Sequence, residues 1–254
     1  MNQATISSQL GNMPCRVKDT DEMIALREAE EWQKLGDALV GQYRFREAAA
    51  YYEKALCQDS TDIRLCRCYA GANLTLRNFR TAEAAYRQSL NLGANPADIA
   101  YSMGFSTYLQ RDYVAATVHF AASYPCDEEQ EIAVIYWHTL AACRAGVRRK
   151  LLDVYREGMN IGHHTAYEMI VRLFCGLISP KEVEAWIQAE EDELNKVVAL
   201  YGMVIYYEST AQQDQRERAL QDLLAHDTYW PSLPYLAAWA DDSISSILNA
   251  NKCK

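Results

Sequence analysis

Helix-breaking residues are scarce in this sequence, with 6 proline and 11 glycine residues among 254. This scarcity excludes the collagen-like and low-complexity classes, and it predicts a mostly helical chain. Cations are also in deficit, because 25 Lys and Arg oppose 34 Asp and Glu, for a net charge of -9. Affinity for a phosphate backbone comes mainly from clustered cations, so this balance argues against a nucleic-acid partner.

Long apolar stretches are missing as well. The first 20 residues are polar and lack the apolar core of a secretory signal peptide. The longest apolar run, residues 197–207, is far shorter than the roughly 20 residues that a membrane span needs. Several cysteines lie within helical apolar patterns, where a thiol behaves as a small hydrophobe. We therefore expect a cytoplasmic protein with reduced thiols and no membrane insertion.

Motifs for chemistry are not found either: the sequence has no Walker loop, GxGxxG, nucleophile elbow, HExxH or EF-hand loop. His163 and His164 have no further ligand at a spacing typical of metal sites. Cys66 and Cys68 would diverge by about 200° on a helix, at roughly 100° per residue. We expect no enzyme activity, no catalytic residue, no cofactor and no metal site.

A repeat of 34 residues emerges when the chain is aligned with itself. Three windows, starting at residues 29, 63 and 97, keep register without an insertion. In each window position 8 is small, position 17 is aromatic, position 20 is alanine and position 24 is a large ring. Position 8 holds Gly36, Ala70 and Gly104; position 17 holds Phe45, Phe79 and Tyr113; position 20 holds Ala48, Ala82 and Ala116; and position 24 holds Tyr52, Tyr86 and Phe120. Small residues at positions 8 and 20 allow two helices, A and B, to approach closely, and stacked hairpins bury a continuous core.

The run Trp32-Gln33-Lys34-Leu35-Gly36, followed by Ala48, Tyr52 and Ala55, resembles the tetratricopeptide repeat (TPR) pattern. The resemblance covers residues 29–130, about two-fifths of the chain. It implies an all-α fold, a right-handed α-solenoid of antiparallel helix pairs in which helix A of each repeat lines a concave groove. The order of the later segments is similar to that of bacterial lipoprotein TPR scaffolds, although no lipoprotein signal is visible here.

The chain divides into four predicted segments. Residues 1–20 form a flexible arm, 21–130 hold three TPR repeats with a leading helix extension, 131–227 form degenerate TPR-like hairpins, and 228–254 form a capping helix and tail. The fourth window is degenerate because His138 replaces the small residue at position 8. Ser179, Pro180 and Glu182 predict a capped helix start. The arm is either disordered or folded back into the groove.

By resemblance to TPR proteins, positions 2, 5, 9, 12 and 13 of helix A point into the groove. The candidate partner-binding residues are accordingly Gln33, Asp37, Arg64, Arg67, Asp98, Tyr101, Phe105, Tyr108, Ile135 and Thr139. Tyr101, Phe105 and Tyr108 have the spacing i, i+4, i+7, which places three rings on one helical face. We expect exposed aromatic anchors beside Arg64 and Arg67, suited to a peptide with apolar and acidic side chains. The alternative is that this face packs against a neighbouring helix.

The resemblance implies a non-catalytic adaptor or scaffold that binds a protein or peptide partner in the groove. Some TPR domains hold the carboxylate tail of heat-shock chaperones, but here Gln33 and Asp37 replace the lysine and asparagine of that clamp. Asp37 and Asp98 would repel a carboxylate, so we reject this function. An alternative is a cytoplasmic chaperone for a secreted or membrane protein, since three TPRs in an acidic chain resemble secretion chaperones. A further possibility is a homodimer formed through residues 229–231, although these residues also suit a packing role.

Overall fold

Helices make up most of the described part of the chain. The computed structural model describes residues 21–252, with side chains described between residues 24 and 243, so the predicted arm lies outside the described residues. The α-helices are α1 (Asp21–Val40), α2 (Phe45–Gln58), α3 (Ile63–Thr75), α4 (Phe79–Asn91), α5 (Pro96–Leu109), α6 (Tyr113–Ala122), α7 (Glu128–Ala145), α8 (Thr165–Phe174), α9 (Pro180–Ala189), α10 (Glu193–Ser209), α11 (Gln213–Ala225) and α12 (Leu233–Lys252). Two 3-10 helices span Lys150–Val154 and Asp227–Tyr229. The predicted all-α solenoid is confirmed.

The first six helices form three hairpins in the predicted register, α1/α2, α3/α4 and α5/α6, and each hairpin stacks on the next. Position 8 shows why the register requires a small residue. A Cβ atom added to Gly36 would lie 2.4 Å from the Tyr52 ring, and one added to Gly104 would lie 2.5 Å from the Phe120 ring. The ring at position 24 therefore rests directly on the backbone of the facing helix.

All three hairpins turn at the same repeat position, position 15. Tyr43, Arg77 and Arg111 have φ angles of 60°, 61° and 66°. Each lies in the left-handed region that side chains other than glycine rarely adopt. Each also donates its backbone N–H to the carbonyl oxygen three residues earlier, at 2.9 Å. One turn geometry, used three times, keeps the period at 34 residues.

The fourth unit departs from the repeat at His138, which is 2% exposed within α7. An imidazole at position 8 leaves no room for a helix as close as those in the first and third hairpins. A 3-10 helix follows α7 instead, and α8 packs between α7 and α10. Gly202 of α10 makes the close approach to α8, because an added Cβ atom would lie 2.5 Å from Ile170. The predicted start of α9 is confirmed by the capping box of Ser179 with Glu182.

The terminal helix α12 packs on the last hairpin, α10/α11, and on α5 of the third hairpin. Together with the residues just before it, this helix also reaches the turns of the first three hairpins. The ring of Trp230 lies 5.6 Å from Phe45 beside the first turn. Trp239 lies 5.7 Å from the Arg77 guanidinium of the second turn. Asp241 accepts a hydrogen bond from Arg111 of the third turn at 3.3 Å. We call residues 227–243 the C-terminal strap, since they follow the row of hairpin turns.

Candidate functional site

Four of the predicted groove residues lie together on the face formed by the first helices of the hairpins. Arg64 of α3 donates to Oδ2 of Asp37 on α1 at 2.6 Å. Arg67, one turn further along α3, donates to Oδ2 of Asp98 on α5 at 3.3 Å. The two ion pairs therefore connect three consecutive repeats. We call these four residues the inner-face ladder.

The inner-face ladder is accessible to solvent. The exposed fractions of the side chains are 69% for Arg64 and 35% for Asp37, and 42% for Arg67 and 39% for Asp98. Charges this exposed attract one another weakly, and such pairs contribute at most about 1 kcal/mol each. A charged group of a partner can therefore reach them and compete for them.

Asp37 is the best-anchored member of the inner-face ladder. Its Oδ1 atom accepts a hydrogen bond from the hydroxyl of Tyr52 at 2.7 Å. Tyr52 is 2% exposed and belongs to the core of the first two hairpins. Burial raises the pKa of the Tyr52 hydroxyl, and the bond to Asp37 raises it further. The hydroxyl therefore stays protonated and holds the carboxylate in position for Arg64.

A cleft of about 520 Å³ opens beside the inner-face ladder. It is lined by Ile63, Arg64, Arg67, Cys68, Tyr86 and Ser102. Burial raises the pKa of the Cys68 thiol, so this group is neutral near pH 7 and acts as a small apolar surface. The cleft thus combines two guanidinium groups with an aliphatic side chain, a ring and a thiol. An arrangement of this kind can bind a segment that carries both carboxylate and apolar side chains.

The three predicted aromatic anchors are not an exposed face, and that expectation is wrong. Phe105 is 6% exposed and Tyr108 is 2% exposed, while Tyr101 is half-buried. Trp137 of α7 packs edge-on against Phe105 and Tyr108, and its ring centroid lies 5.0 Å from that of Phe105 and 5.4 Å from that of Tyr108. The Tyr108 hydroxyl also lies 2.9 Å from the hydroxyl of Tyr201 in α10. The rings are buried because α7 and α10 cover the part of α5 that carries them.

Three more candidates are buried and cannot contact a partner in this conformation. Ile135 is 0% exposed, Thr139 is 1% exposed and Gln33 is 7% exposed. Ile135 and Thr139 lie in α7, where every residue from 132 to 142 is buried. Because residues 132–142 of α7 are enclosed on all sides, this part of the helix has no face left to line a groove. Gln33 belongs to the side of α1 that packs against α2, together with Ala29.

Sequence reasoning missed part of the cleft. Cys68 and Ser102 both occupy position 6 of their repeats, next to the ladder residues Arg67 and Asp98 in space. Two small side chains at the same position of consecutive repeats leave an opening between the helices. That coincidence is visible in the aligned windows and could have predicted the cleft.

Within the described residues, no group of three or more His, Cys, Asp or Glu side chains is arranged to hold a metal ion. None of the helices in that part of the chain is both long enough and apolar enough to cross a bilayer.

The described helices form an array of stacked helical hairpins. Among solved structures, the chain is similar to Pseudomonas aeruginosa PilF, with a TM-score of 0.53 and 16% identity over 85% of this chain and 99% of that one. It is also similar to YrrB, a TPR protein with an unusual peptide-binding site, with a TM-score of 0.45 and 14% identity over 89% of this chain and 100% of that one. No family model and no curated protein matches the sequence. The 34-residue register and the likeness to PilF together show that the chain has a TPR-like fold.

Proposed function

We propose that this chain is a non-catalytic protein-interaction scaffold that binds a segment of a partner protein in the cleft beside the inner-face ladder. The observation that carries the proposal is the accessibility of this cleft at the junction of the second and third repeats, whose packed helices position its side chains. A preordered site loses less conformational entropy on binding than a flexible one. Helices α7 and α10 bury the rings that were expected to bind the partner, so the polar part of the groove is the part that stays open.

The partner segment is expected to carry at least one acidic side chain. Arg67 is held by Asp98 at 3.3 Å, whereas Arg64 is held by the anchored Asp37 at 2.6 Å. The longer pair is the easier one for an incoming carboxylate to replace, and its replacement costs little because both side chains are already solvated. An apolar side chain beside that carboxylate would then contact Ile63 and Tyr86.

A photoreactive amino acid placed at Ser102 should identify the partner by crosslinking in the native host. The same amino acid at Val118, on α6 outside the cleft, serves as the control. The crosslinked segment is then prepared as a peptide and titrated against the purified chain. We expect Arg64→Glu with Arg67→Glu to weaken its binding by about tenfold or more, equivalent to about 1.4 kcal/mol.

A matched control removes the contribution of net charge. Arg46 and Arg80 are exposed residues at position 18 of the first two windows, on α2 and α4. Arg46→Glu with Arg80→Glu changes the total charge by the same amount and should leave the affinity unchanged. Equal losses for the two double variants, or no loss for either, would remove the cleft from the proposal.

The alternative role, a chaperone for an unfolded apolar segment, would need an exposed apolar cradle. Phe105 and Tyr108 would have supplied it, and their burial favours the scaffold. A chaperone should copurify with its substrate in near-stoichiometric amounts and protect an apolar segment from proteolysis. A scaffold should instead release an acidic peptide when the salt concentration is raised.

A further inference from the structure

Helix α1 exposes the face that corresponds to the one with which α3 and α5 pack against the preceding hairpin. In α3 and α5 this face packs against the preceding second helix, α2 or α4. Position 3 on that face is Leu65 in α3, 1% exposed, and Ile99 in α5, 0% exposed. Position 7 in α5 is Met103, which is 9% exposed. The equivalent positions of α1 hold Glu31, which is exposed, and Leu35, which is 45% exposed.

This face of α1 combines exposed apolar side chains with acidic ones. It forms a cleft of about 370 Å³ lined by Ile24, Arg27, Glu28, Glu31, Trp32 and Leu35. Ile24 and Leu35, each 45% exposed, stand at the two ends of an i, i+4, i+7, i+11 stripe. At about 1.5 Å per residue they are roughly 16 Å apart, or three helical turns. Trp32 forms a fixed wall, since its ring stacks on Tyr51 at 5.6 Å.

The charge of α1 indicates the chemistry of the occupant. The helix contains six acidic residues and two basic ones, and Glu28 and Glu31 stand between the two apolar ends of the stripe. Lys34 lies 2.9 Å from Glu30 and 3.5 Å from Glu31, so Glu31 has only the longer contact with this cation. A second copy of the chain fits poorly, because an antiparallel pair of α1 helices would bring Glu28 and Glu31 against the same acids of the other copy.

We propose that the exposed face of α1 binds an amphipathic helix of a partner protein, packed as α2 packs on α3. The partner helix would place apolar side chains against Ile24 and Leu35, and lysine or arginine side chains between them against Glu28 and Glu31. This surface is separate from the inner-face ladder and does not depend on the proposed peptide cleft. The scaffold then has two binding surfaces with opposite preferences for charge.

Two synthetic helical peptides test this surface. They share the same leucine positions, and one carries lysine where the other carries glutamate. We expect the lysine peptide to bind the full chain in a fluorescence anisotropy titration. The double variant Ile24→Gln/Leu35→Gln should bind the lysine peptide about tenfold more weakly, because two half-exposed aliphatic side chains no longer contribute apolar burial. The double variant Glu28→Lys/Glu31→Lys should reverse the preference, so that the glutamate peptide binds more tightly than the lysine peptide.

A matched control is available on α6, where Val114 and Val118 are 58% and 63% exposed. Val114→Gln with Val118→Gln removes a similar exposed apolar pair and should not change peptide binding. Circular dichroism verifies that every variant stays folded. Equal binding of the two peptides to the unmodified chain, or equal losses in both glutamine variants, would overturn the proposal.

Two further results would also overturn it by naming a different occupant. A dimer in sedimentation that the Ile24→Gln and Leu35→Gln changes dissociate would mean that a second copy covers this face. Deleting residues 1–20 could raise the affinity for the lysine peptide about tenfold or more, equivalent to about 1.4 kcal/mol, which would mean that the chain's own N-terminal segment covers it. A monomer with unchanged affinity after the deletion supports the partner helix.

Discussion

Arg144 and Asp241 form a bidentate ion pair that joins α7 to the C-terminal strap. Their two contacts, Nη1 to Oδ1 and Nη2 to Oδ2, measure 2.9 Å and 2.6 Å. The two side chains are only 5% and 4% exposed. Arg144 also donates to Glu208 at 2.9 Å, and Arg111 of the third hairpin turn donates to Asp241 at 3.3 Å. A carboxylate near the end of the described chain thereby connects the third, fourth and last helical units.

Replacing Asp241→Ala should destabilise the protein by about 3–5 kcal/mol, because it leaves the buried guanidinium of Arg144 without its main counter-ion. Equilibrium unfolding in urea, followed by circular dichroism, measures this loss. The neighbouring Asp242 bonds to Gln221 at the surface, at 3.4 Å. Asp242→Ala should cost no more than about 0.5 kcal/mol. Similar losses for the two variants would show that the ion pair does not hold the strap.

Gly104→Ala should destabilise the third hairpin by about 1–3 kcal/mol, since the new methyl group would lie 2.5 Å from the Phe120 ring. Gly71, inside α3, has nothing within 4 Å of the corresponding position. Gly71→Ala should therefore stabilise the protein by about 0.5–1 kcal/mol through helix propensity alone. Thermal unfolding of the two variants compares them directly. Effects of the same sign would contradict the role given to position 8.

The three hairpins could be predicted from the sequence because their determinants are local. Gly36 meets Tyr52, and Gly104 meets Phe120, each within one 34-residue window. The register of these residues can therefore be seen without knowing the rest of the fold. The positions of Arg64 and Asp98 on the inner face follow from the same register.

The burial of the aromatic rings could not be predicted in this way. Tyr108 contacts Tyr201, a residue 93 positions later in the chain. Nothing in the third window indicates that α10 will return to α5. The ion pair of Arg144 with Asp241, at a separation of 97 positions, is equally invisible. His138 did indicate in the sequence that the repeat ends, because a side chain of its size at position 8 does not allow the following helices to keep the repeat geometry.

His138 should make the stability of the protein depend on pH. Burial, with a smaller effect of Lys150, lowers its pKa from 6.5 to about 4. Between these values the unfolded chain binds a proton that the folded chain does not, so the free energy of unfolding falls as the pH falls. The contribution is fully present above pH 6.5, and about 3 kcal/mol is lost by pH 4. Urea titrations at about pH 7, 6, 5 and 4 measure how the free energy of unfolding depends on pH.

The variant His138→Gln removes this group and should show a shallower decline than the unmodified protein over the same pH range. Acidic side chains titrate in both proteins, so the difference between the two curves isolates His138. Parallel curves for the His138 variant and the unmodified protein would show that the buried imidazole is not the group responsible.

A double-mutant cycle tests whether the core positions the inner-face ladder. The Tyr52 hydroxyl donates to a carboxylate of Asp37 at 2.7 Å, and hydrogen bonds to charged groups contribute about 1.5–3 kcal/mol. Asp37→Ala combined with Tyr52→Phe should therefore show a coupling energy of about 1–2 kcal/mol in urea unfolding. Tyr136 is an equally buried tyrosine whose hydroxyl bonds to the backbone of Val198, so Asp37→Ala with Tyr136→Phe should be additive. If Tyr52→Phe leaves the affinity for a cleft peptide unchanged while Asp37→Ala alters it, the carboxylate acts without its anchor. If both change the affinity in the same direction, the buried hydroxyl fixes the geometry that Arg64 presents to the partner.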